Sequence, residues 1–308
     1  MLLVTGCAGF IGSNIVEYLI KNGHDVVGID DLSTGRKENT ARLDFRFIKA
    51  SINDRGALLK AMRGVDCVLH QAAIPSVARS VKDPVATNTA NIDGTINLLV
   101  CARDAGVKRV VYASSSSVYG NSPRLPKKET ISGDVLSPYA LTKYAGEVYC
   151  RIFHEIYGME TLSLRYFNVF GPKQNPDSEY SAVIPRFIKL MLQGRKPIIY
   201  GDGSTSRDFT HVENVILANM LSVKAPKKAC GMAYNIACGE SKTLNQLVSD
   251  INKTIGSDIK PQYADERPGD VRHSLADISL ARRMLGYRPS VYFKEGLEKT
   301  IDWYKRFV

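Results

Sequence analysis

Short β-branched runs alternate with amphipathic stretches through the first half of the chain. Residues 2–5, 25–30, 45–49, 67–71, 109–114 and 161–167 are rich in apolar positions and too short to be helices, so they read as strands. Helical spacing of apolar positions fills most of the gaps between them, at 11–22, 55–62, 84–105 and 139–157. Gly23 and Gly158 directly follow two of these stretches, where a left-handed residue closes a helix. The resulting order is βαββαβαβαβ, with only a loop or short helix between the second and third strands. It predicts an α/β fold built on a doubly wound parallel sheet covered by helices.

Beyond about residue 170 the regularity fades. Segments rich in Pro, Gly and charge at 171–180, 200–207 and 265–273 predict a smaller, loop-rich C-terminal α/β lobe. We expect one unit at 1–168, to which later segments can return, and a second at 169–308. A chain of 308 residues that is 44% hydrophobic can bury one large core with such a lobe attached. No apolar run approaches the ~20 residues of a transmembrane helix, and Met1 leads straight into a strand-like run with no basic leader. A soluble, cytoplasmic protein is expected. Six cysteines (Cys7, Cys67, Cys101, Cys150, Cys230 and Cys238) stand apart without a CxxC pair, which suits reduced thiols better than disulfides or zinc. The net charge of +10 is spread along the chain and accompanies no nucleic-acid motif, so it reads as a basic surface that helps anionic ligands to approach.

Candidate chemistry begins at the first strand–helix turn. Val4-Thr5-Gly6-Cys7-Ala8-Gly9-Phe10-Ile11-Gly12 spaces its glycines as GxxGxxG. Gly6 suits a tight turn, Gly9 a close backbone approach to a pyrophosphate, and Gly12 close packing of helix on sheet, with the helix N-terminus facing the phosphates. The sheet is therefore expected to be Rossmann-type. Its second strand ends at Asp30, 18 residues after Gly12. An Asp there accepts both hydroxyls of an adenosine ribose and repels a 2′-phosphate, which predicts NAD as cofactor in place of NADP. Arg36-Lys37 is the counter-signal, since two cations could neutralise that phosphate.

Tyr139 and Lys143 stand four residues apart, on one face of a helix that Ser137-Pro138 opens. A free phenol titrates near ~10, so a base at neutral pH needs a nearby cation, which Lys143 and the nicotinamide charge supply. Upstream, the fifth strand runs into Ser114-Ser115-Ser116-Ser117-Val118-Tyr119-Gly120. Serines at the carboxyl end of a parallel strand lie at the crevice where ligands bind in such sheets. Ser114, Ser115 and Ser116 are all open as the one that hydrogen-bonds a reacting hydroxyl.

On these motifs the sequence resembles the extended short-chain dehydrogenase/reductase family over nearly its full length, and within it the UDP-hexose 4-epimerases. Further matching stretches are His70-Gln71-Ala72-Ala73, Asn91-Ile92-Asp93-Gly94-Thr95, Arg165-Tyr166-Phe167-Asn168-Val169-Phe170-Gly171, Ser206-Arg207-Asp208-Phe209 and Arg267-Pro268-Gly269-Asp270. The resemblance implies an NAD-dependent isomerase in which Tyr139 takes the proton from a sugar 4-hydroxyl while hydride passes to NAD; the 4-keto sugar turns over and hydride returns to its other face. It implies Ser115 as the assisting serine, and Lys143 as the group that lowers the tyrosine pKa and holds the nicotinamide ribose. Cofactor contacts implied in the same way are Gly6, Gly9, Phe10, Ile11, Gly12, Asp30, Asp31, Ser51, Ile52, Gln71, Ala72, Ala73, Tyr139, Lys143 and Tyr166. Family members pair through the helices matching 84–105 and 139–157, so a homodimer is expected, with Leu98, Leu99, Val148, Ile152 and Ile156 supplying apolar residues.

The implied substrate is a UDP-sugar. Arg207 and Arg267 match the family's diphosphate-binding arginines, Asn168 its phosphate-contacting asparagine, Asp270 its ribose partner and Tyr200 its uracil neighbour. Ser76, Ser115, Ser116, Ser117, Tyr139, Gln174, Ala182 and Val183 are further substrate positions by resemblance. No metal is expected. Ser51 departs from the pattern, standing where the third strand usually ends in an Asp near adenine, and Pro75 replaces a lysine found in some members. Ser274 stands where glucose-restricted bacterial epimerases tend to carry a tyrosine, which leaves space for a 2-acetamido group. With residues 168–174 and 182–185 it makes the chain look most like UDP-N-acetylglucosamine 4-epimerases. The expected reactions are UDP-N-acetylglucosamine to UDP-N-acetylgalactosamine and UDP-glucose to UDP-galactose. Dehydratases and decarboxylases of this fold need an acid where the chain has only Ser114 to Ser117, which counts against them. UDP-glucuronate 4-epimerase shares the serine run and is the nearest rival, while intact Tyr139 and Lys143 oppose a non-catalytic NAD-sensing regulator.

Overall fold

A computed structural model describes residues 1–131, 135–177, 182–266 and 272–307. The first half forms β1 (Leu2–Thr5), α1 (Phe10–Lys21), β2 (Val26–Asp30), β3 (Arg46–Lys49), α2 (Arg55–Ala61), β4 (Cys67–His70), α3 (Val77–Lys82), α4 (Pro84–Asn88), α5 (Gly94–Asp104), β5 (Arg109–Ser115), α6 (Pro138–Tyr157) and β6 (Glu160–Tyr166). The six expected strands are all present, their ends displaced by at most one residue. A seventh, Met232–Ile236, returns from the C-terminal half to pair with β6. All seven run parallel in the order Met232–Ile236, β6, β5, β4, β1, β2, β3. The chain leaves β1 in both directions, and that reversal opens a crevice at the carboxyl ends of the strands.

Every residue of β1 and β2 is buried, which explains why these strands read as continuous apolar runs and not as alternations. Leu2 and Val4 join an apolar cluster with Ile15, Val16 and Leu19 of α1. Leu3 joins a second cluster with Leu58, Leu98, Leu99 and Phe153, on the other face of the sheet. Leu98 and Leu99, expected at a dimer face, are thus fully buried in the chain's own core. A third, separate cluster in the C-terminal half of the chain includes Phe170, Phe187, Phe209, Leu247, Phe293 and Tyr304. All six cysteines are buried, free thiols, and no helix among the described residues is long and apolar enough to cross a membrane.

The stretch 84–105 is not the single helix expected from its spacing. A π-helical turn, Thr89–Asp93, separates α4 from α5. The wide turn carries Asn91 inward, where its Oδ1 accepts the Ile74 N–H at 2.7 Å and its Nδ2 donates to the Ile74 carbonyl at 3.1 Å and to Thr142 Oγ1 at 3.0 Å. Such insertions concentrate at functional sites. The short helix α3 also went unforeseen; Ser76, at φ 92°, caps it by accepting the Arg79 N–H at 3.4 Å.

Candidate active site

The carboxyl ends of the central strands wall a crevice of ≈ 590 Å³. At its floor Gly6 sits at φ 64°, and a Cβ there would lie 2.8 Å from the Ala72 backbone. A Cβ on Gly12 would come within 2.0 Å of the Gly6 carbonyl, so strand, turn and α1 close together only with glycine at both positions. Asp30 is buried at the end of β2, where Oδ2 accepts the Ala8 N–H at 2.9 Å and Oδ1 the Leu32 N–H at 2.8 Å. Burial pushes its carboxyl pKa up, against those two donors. Gly9, Phe10, Ile11, Asp31, Ser51, Ile52, Gln71, Ala72, Ala73, Ser76, Tyr139, Lys143, Tyr166 and Gln174 line the same crevice. Arg36, the possible partner of a 2′-phosphate, pairs with Glu38 at 3.7 Å. A glycine-walled turn at a helix N-terminus, with a fixed carboxylate beside it, fits a dinucleotide with a free ribose 2′-hydroxyl. Asn39 and Lys173 also line the crevice and were missed in the sequence; Lys173 pairs with Glu17 of α1 at 2.7 Å, a contact between residues far apart in the chain.

The helix α6 starts sharply because Ser137 Oγ accepts the Ala140 N–H at 3.1 Å and Pro138 occupies its first turn. Its inner face brings Tyr139 and Lys143 to the end of β5. The Ser115 hydroxyl accepts the Ser117 N–H at 3.1 Å and lies near enough to Tyr139 to pull its phenol down. Lys143 Nζ donates to the Ala113 carbonyl at 2.8 Å and lies 6.0 Å from the centre of the Tyr139 ring. Of the serines left open by the sequence, Ser114 lines the crevice with its hydroxyl bonded to Glu147, Ser116 begins a tight turn, Ser116–Tyr119, and Ser115, Ser116 and Ser117 line neither cavity. Ser117 Oγ is buried without a partner. Burial raises the Tyr139 phenol and the Ser115 hydrogen bond pulls it back, while burial brings the Lys143 ammonium down to about 8. The phenol is left above its ordinary value, and with an amine beside it that titrates at about 8 the pair is equipped to move a proton to and from a ligand hydroxyl.

Beneath this group lies a buried relay that the sequence did not reveal. His70 bonds Thr5 Oγ1 at 2.8 Å and Thr95 Oγ1 at 3.0 Å. Burial, then the Lys143 charge, lowers its pKa to about 3.

A second cavity of ≈ 280 Å³ collects Asn168, Ala182, Val183, Tyr200 and Arg207, together with Arg186, Thr205 and Phe209. Ala182 lines both cavities. Arg207 Nη1 donates to the Ser206 carbonyl at 3.0 Å. Asp208 beside it is fully buried and accepts N–H groups from Cys238, Gly239 and Ala276 at 3.0, 3.0 and 3.2 Å, which pins the strand Ser206–Arg207 in place. Ser274 packs against that strand, its N–H donating to the Ser206 carbonyl at 3.0 Å, and it lines neither cavity. Gln174 Oε1 is buried without a partner. Arg267 and Asp270 lie outside the described residues.

The model of the NAD dependent epimerase/dehydratase family matches residues 2–237. A UDP-N-acetylglucosamine 4-epimerase from Methanobrevibacter ruminantium M1, solved in complex with UDP-N-acetylmuramic acid, is 42% identical with a TM-score of 0.95, over 100% of this chain and 98% of that one. The UDP-glucose 4-epimerase of Mycolicibacterium smegmatis is 40% identical over 98% of each chain. The UDP-glucose 4-epimerase of Thermus thermophilus, solved with NAD, is 35% identical with a TM-score of 0.90, over 100% of this chain and 99% of that one.

Proposed function

Since the chain belongs to the NAD dependent epimerase/dehydratase family, among UDP-sugar 4-epimerases that use NAD, we propose that it interconverts UDP-N-acetylglucosamine with UDP-N-acetylgalactosamine, and UDP-glucose with UDP-galactose. The observation that carries this reading is Tyr139 with Lys143 beside it, both lining a glycine-walled crevice that shares Ala182 with an arginine-bearing cavity. The preference for N-acetylated sugar is supported by the small Ser274 beside the Arg207 strand and by the 42% identity to an enzyme of that specificity. The same reading makes the protein a cytoplasmic homodimer.

In this reading the backbone of the Gly6 to Gly12 turn holds the pyrophosphate, Asp30 the adenosine ribose and Lys143 the nicotinamide ribose. NAD, when bound there, would supply the hydride acceptor and donor for carbon 4 of the sugar. Arg207, with Arg267, neutralises the UDP diphosphate, Asn168 contacts a phosphate, Asp270 the uridine ribose and Tyr200 the uracil. Tyr139 takes the proton from the 4-hydroxyl and later returns it, with Ser115 sharing that proton's hydrogen bond. The Lys143 ammonium favours the phenolate form. The test is incubation of the purified protein with each UDP-sugar, followed by chromatographic separation of 4-epimers. Formation of UDP-N-acetylgalactosamine is expected; conversion of UDP-glucuronate alone would transfer the assignment to that substrate.

A further inference from the structure

The helix α6 presents a third ionisable group in line with the first two. Tyr139, Lys143 and Glu147 follow one another at four-residue spacing, so they share one face. Two of them are held by consecutive residues of β5: the Ala113 carbonyl accepts from Lys143 at 2.8 Å, and Ser114 Oγ donates to Glu147 Oε1. Glu147 is also clamped to β6, where Arg165 Nε reaches Oε1 at 2.9 Å and Nη2 reaches Oε2 at 2.7 Å, both side chains being 7% exposed. Arg165 Nη1 continues to the Tyr119 hydroxyl at 2.9 Å, and Tyr119 donates to Asn235 Oδ1 at 2.6 Å, on the seventh strand. Glu147 lines neither cavity. A buried ion pair adds little net stability over apolar residues of the same volume. An apolar pair, however, can fix neither the rotation of a helix by hydrogen bonds nor the charge of a neighbouring amine.

We propose that Glu147, held by Arg165 and Ser114, is a positioning residue that sets the register of α6 on β5 and keeps Lys143 charged, so that Tyr139 stands ready for proton transfer. The proposal rests on the reading of Tyr139 given above. Lys143 is faced by Tyr112 and the Ala113 carbonyl from β5, His70 from β4, Tyr139 and Cys150 along α6, and Arg165 from β6 behind Glu147. Among the described residues, Glu147 is the one carboxylate in that set. Burial draws the ammonium down, and Cys150 and then Glu147 oppose it; of these two Glu147 is the one paired with a cation, Arg165 at 2.7 Å.

Glu147→Gln keeps the shape and removes the charge. Loss of a nearby opposite charge lowers an amine's pKa by about one unit or more. The alkaline limb of kcat should therefore move to lower pH by about one unit, with kcat at pH 8 falling ~5-fold or more and KM for the UDP-sugar changing less than about twofold. Ser114→Ala keeps the charge and loosens the register, so kcat should fall with the limb unmoved. Bound NAD and Tm are read alongside. A wild-type limb in Glu147→Gln, or a loss of rate that only tracks lost NAD, overturns the proposal. If Glu147→Gln does not fold, the double variant Glu147→Met/Arg165→Met removes both charges together, which buried pairs tolerate better; the register of α6 is lost there, so kcat should fall with bound NAD unchanged, and a wild-type kcat rejects the idea. Tyr139→Phe is the control. If it stays active, the reading of the site fails; if it is inactive while Glu147→Gln behaves as wild type, the positioning role alone fails.

Discussion

Tyr139 is pulled in opposite directions by its surroundings, since burial raises the phenol and the Ser115 hydrogen bond lowers it. If its oxygen serves proton transfer and little else, Tyr139→Phe should cut kcat by ~10²–10⁴, the range for losing a positioned acid–base group. Calorimetric affinity for the UDP-sugar should stay within a few fold; a near-normal rate would remove Tyr139 from the mechanism. The proposed substrate preference turns on Ser274, which would act through the Arg207 strand because it lines neither cavity itself. Its replacement by Tyr adds a ring next to the Arg207 strand, and overpacking of this kind costs ~1–3 kcal/mol. The ratio of kcat/KM for UDP-N-acetylglucosamine over UDP-glucose should then drop by roughly one to two orders of magnitude. An unmoved ratio would show that Ser274 is not the gate, and taking the ratio cancels any general loss of stability. His70 makes a prediction about pH. Its folded pKa is about 3 against roughly 6.5 for a free imidazole, so between those values the unfolded chain binds a proton that the folded chain refuses. Its contribution is complete above pH 6.5 and is lost on acidification, by about 1.4 kcal/mol per pH unit. The urea midpoint of the wild type should fall from pH 7 to pH 5 more steeply than that of His70→Gln; equal slopes would contradict the assignment.

The elements that bear on assembly are α3, α4 and α6. Val81 is 65% and Val85 74% exposed, and Leu141 and Tyr144 of α6 are exposed as well. The helices α3 and α4 both pack on α6, so these side chains belong to one neighbourhood of the surface. We propose that this face, and not Leu98 or Leu99 of α5, supplies the apolar contact of a homodimer. Sedimentation at micromolar concentration should give a dimer, and Val85→Glu with Leu141→Glu should give a monomer. A monomeric wild type would reject the interface.

Across the whole molecule, α1 beside the crevice is tied to the segment that follows β6. Asn14 of α1 donates to the Pro172 carbonyl at 3.0 Å, next to the Lys173–Glu17 pair. A reaction with no net redox change has no need to exchange its cofactor, so NAD should stay bound through purification. Acid release followed by chromatography should yield NAD. Recovery of NADP would instead overturn the role given to Asp30.

What the sequence determined by itself is local. Strand and helix periodicity, the glycine turn at Gly6 to Gly12 and the four-residue step from Tyr139 to Lys143 each depend on neighbours within a few positions, and backbone geometry fixes them. The step on to Glu147 had the same spacing and was equally visible, but its meaning was not, because Arg165 and Ser114 reach it from other strands. Tertiary structure decided that the Ser114 hydroxyl is taken up by Glu147, since only the packing of α6 on β5 brings the two together. It decided that Met232–Ile236 completes the sheet, because strand pairing joins segments whose separation along the chain leaves no periodic trace. It also decided that 84–105 breaks at Asn91, where hydrogen bonds to Ile74 and Thr142 outweigh the regular helical ladder that the apolar spacing alone would favour.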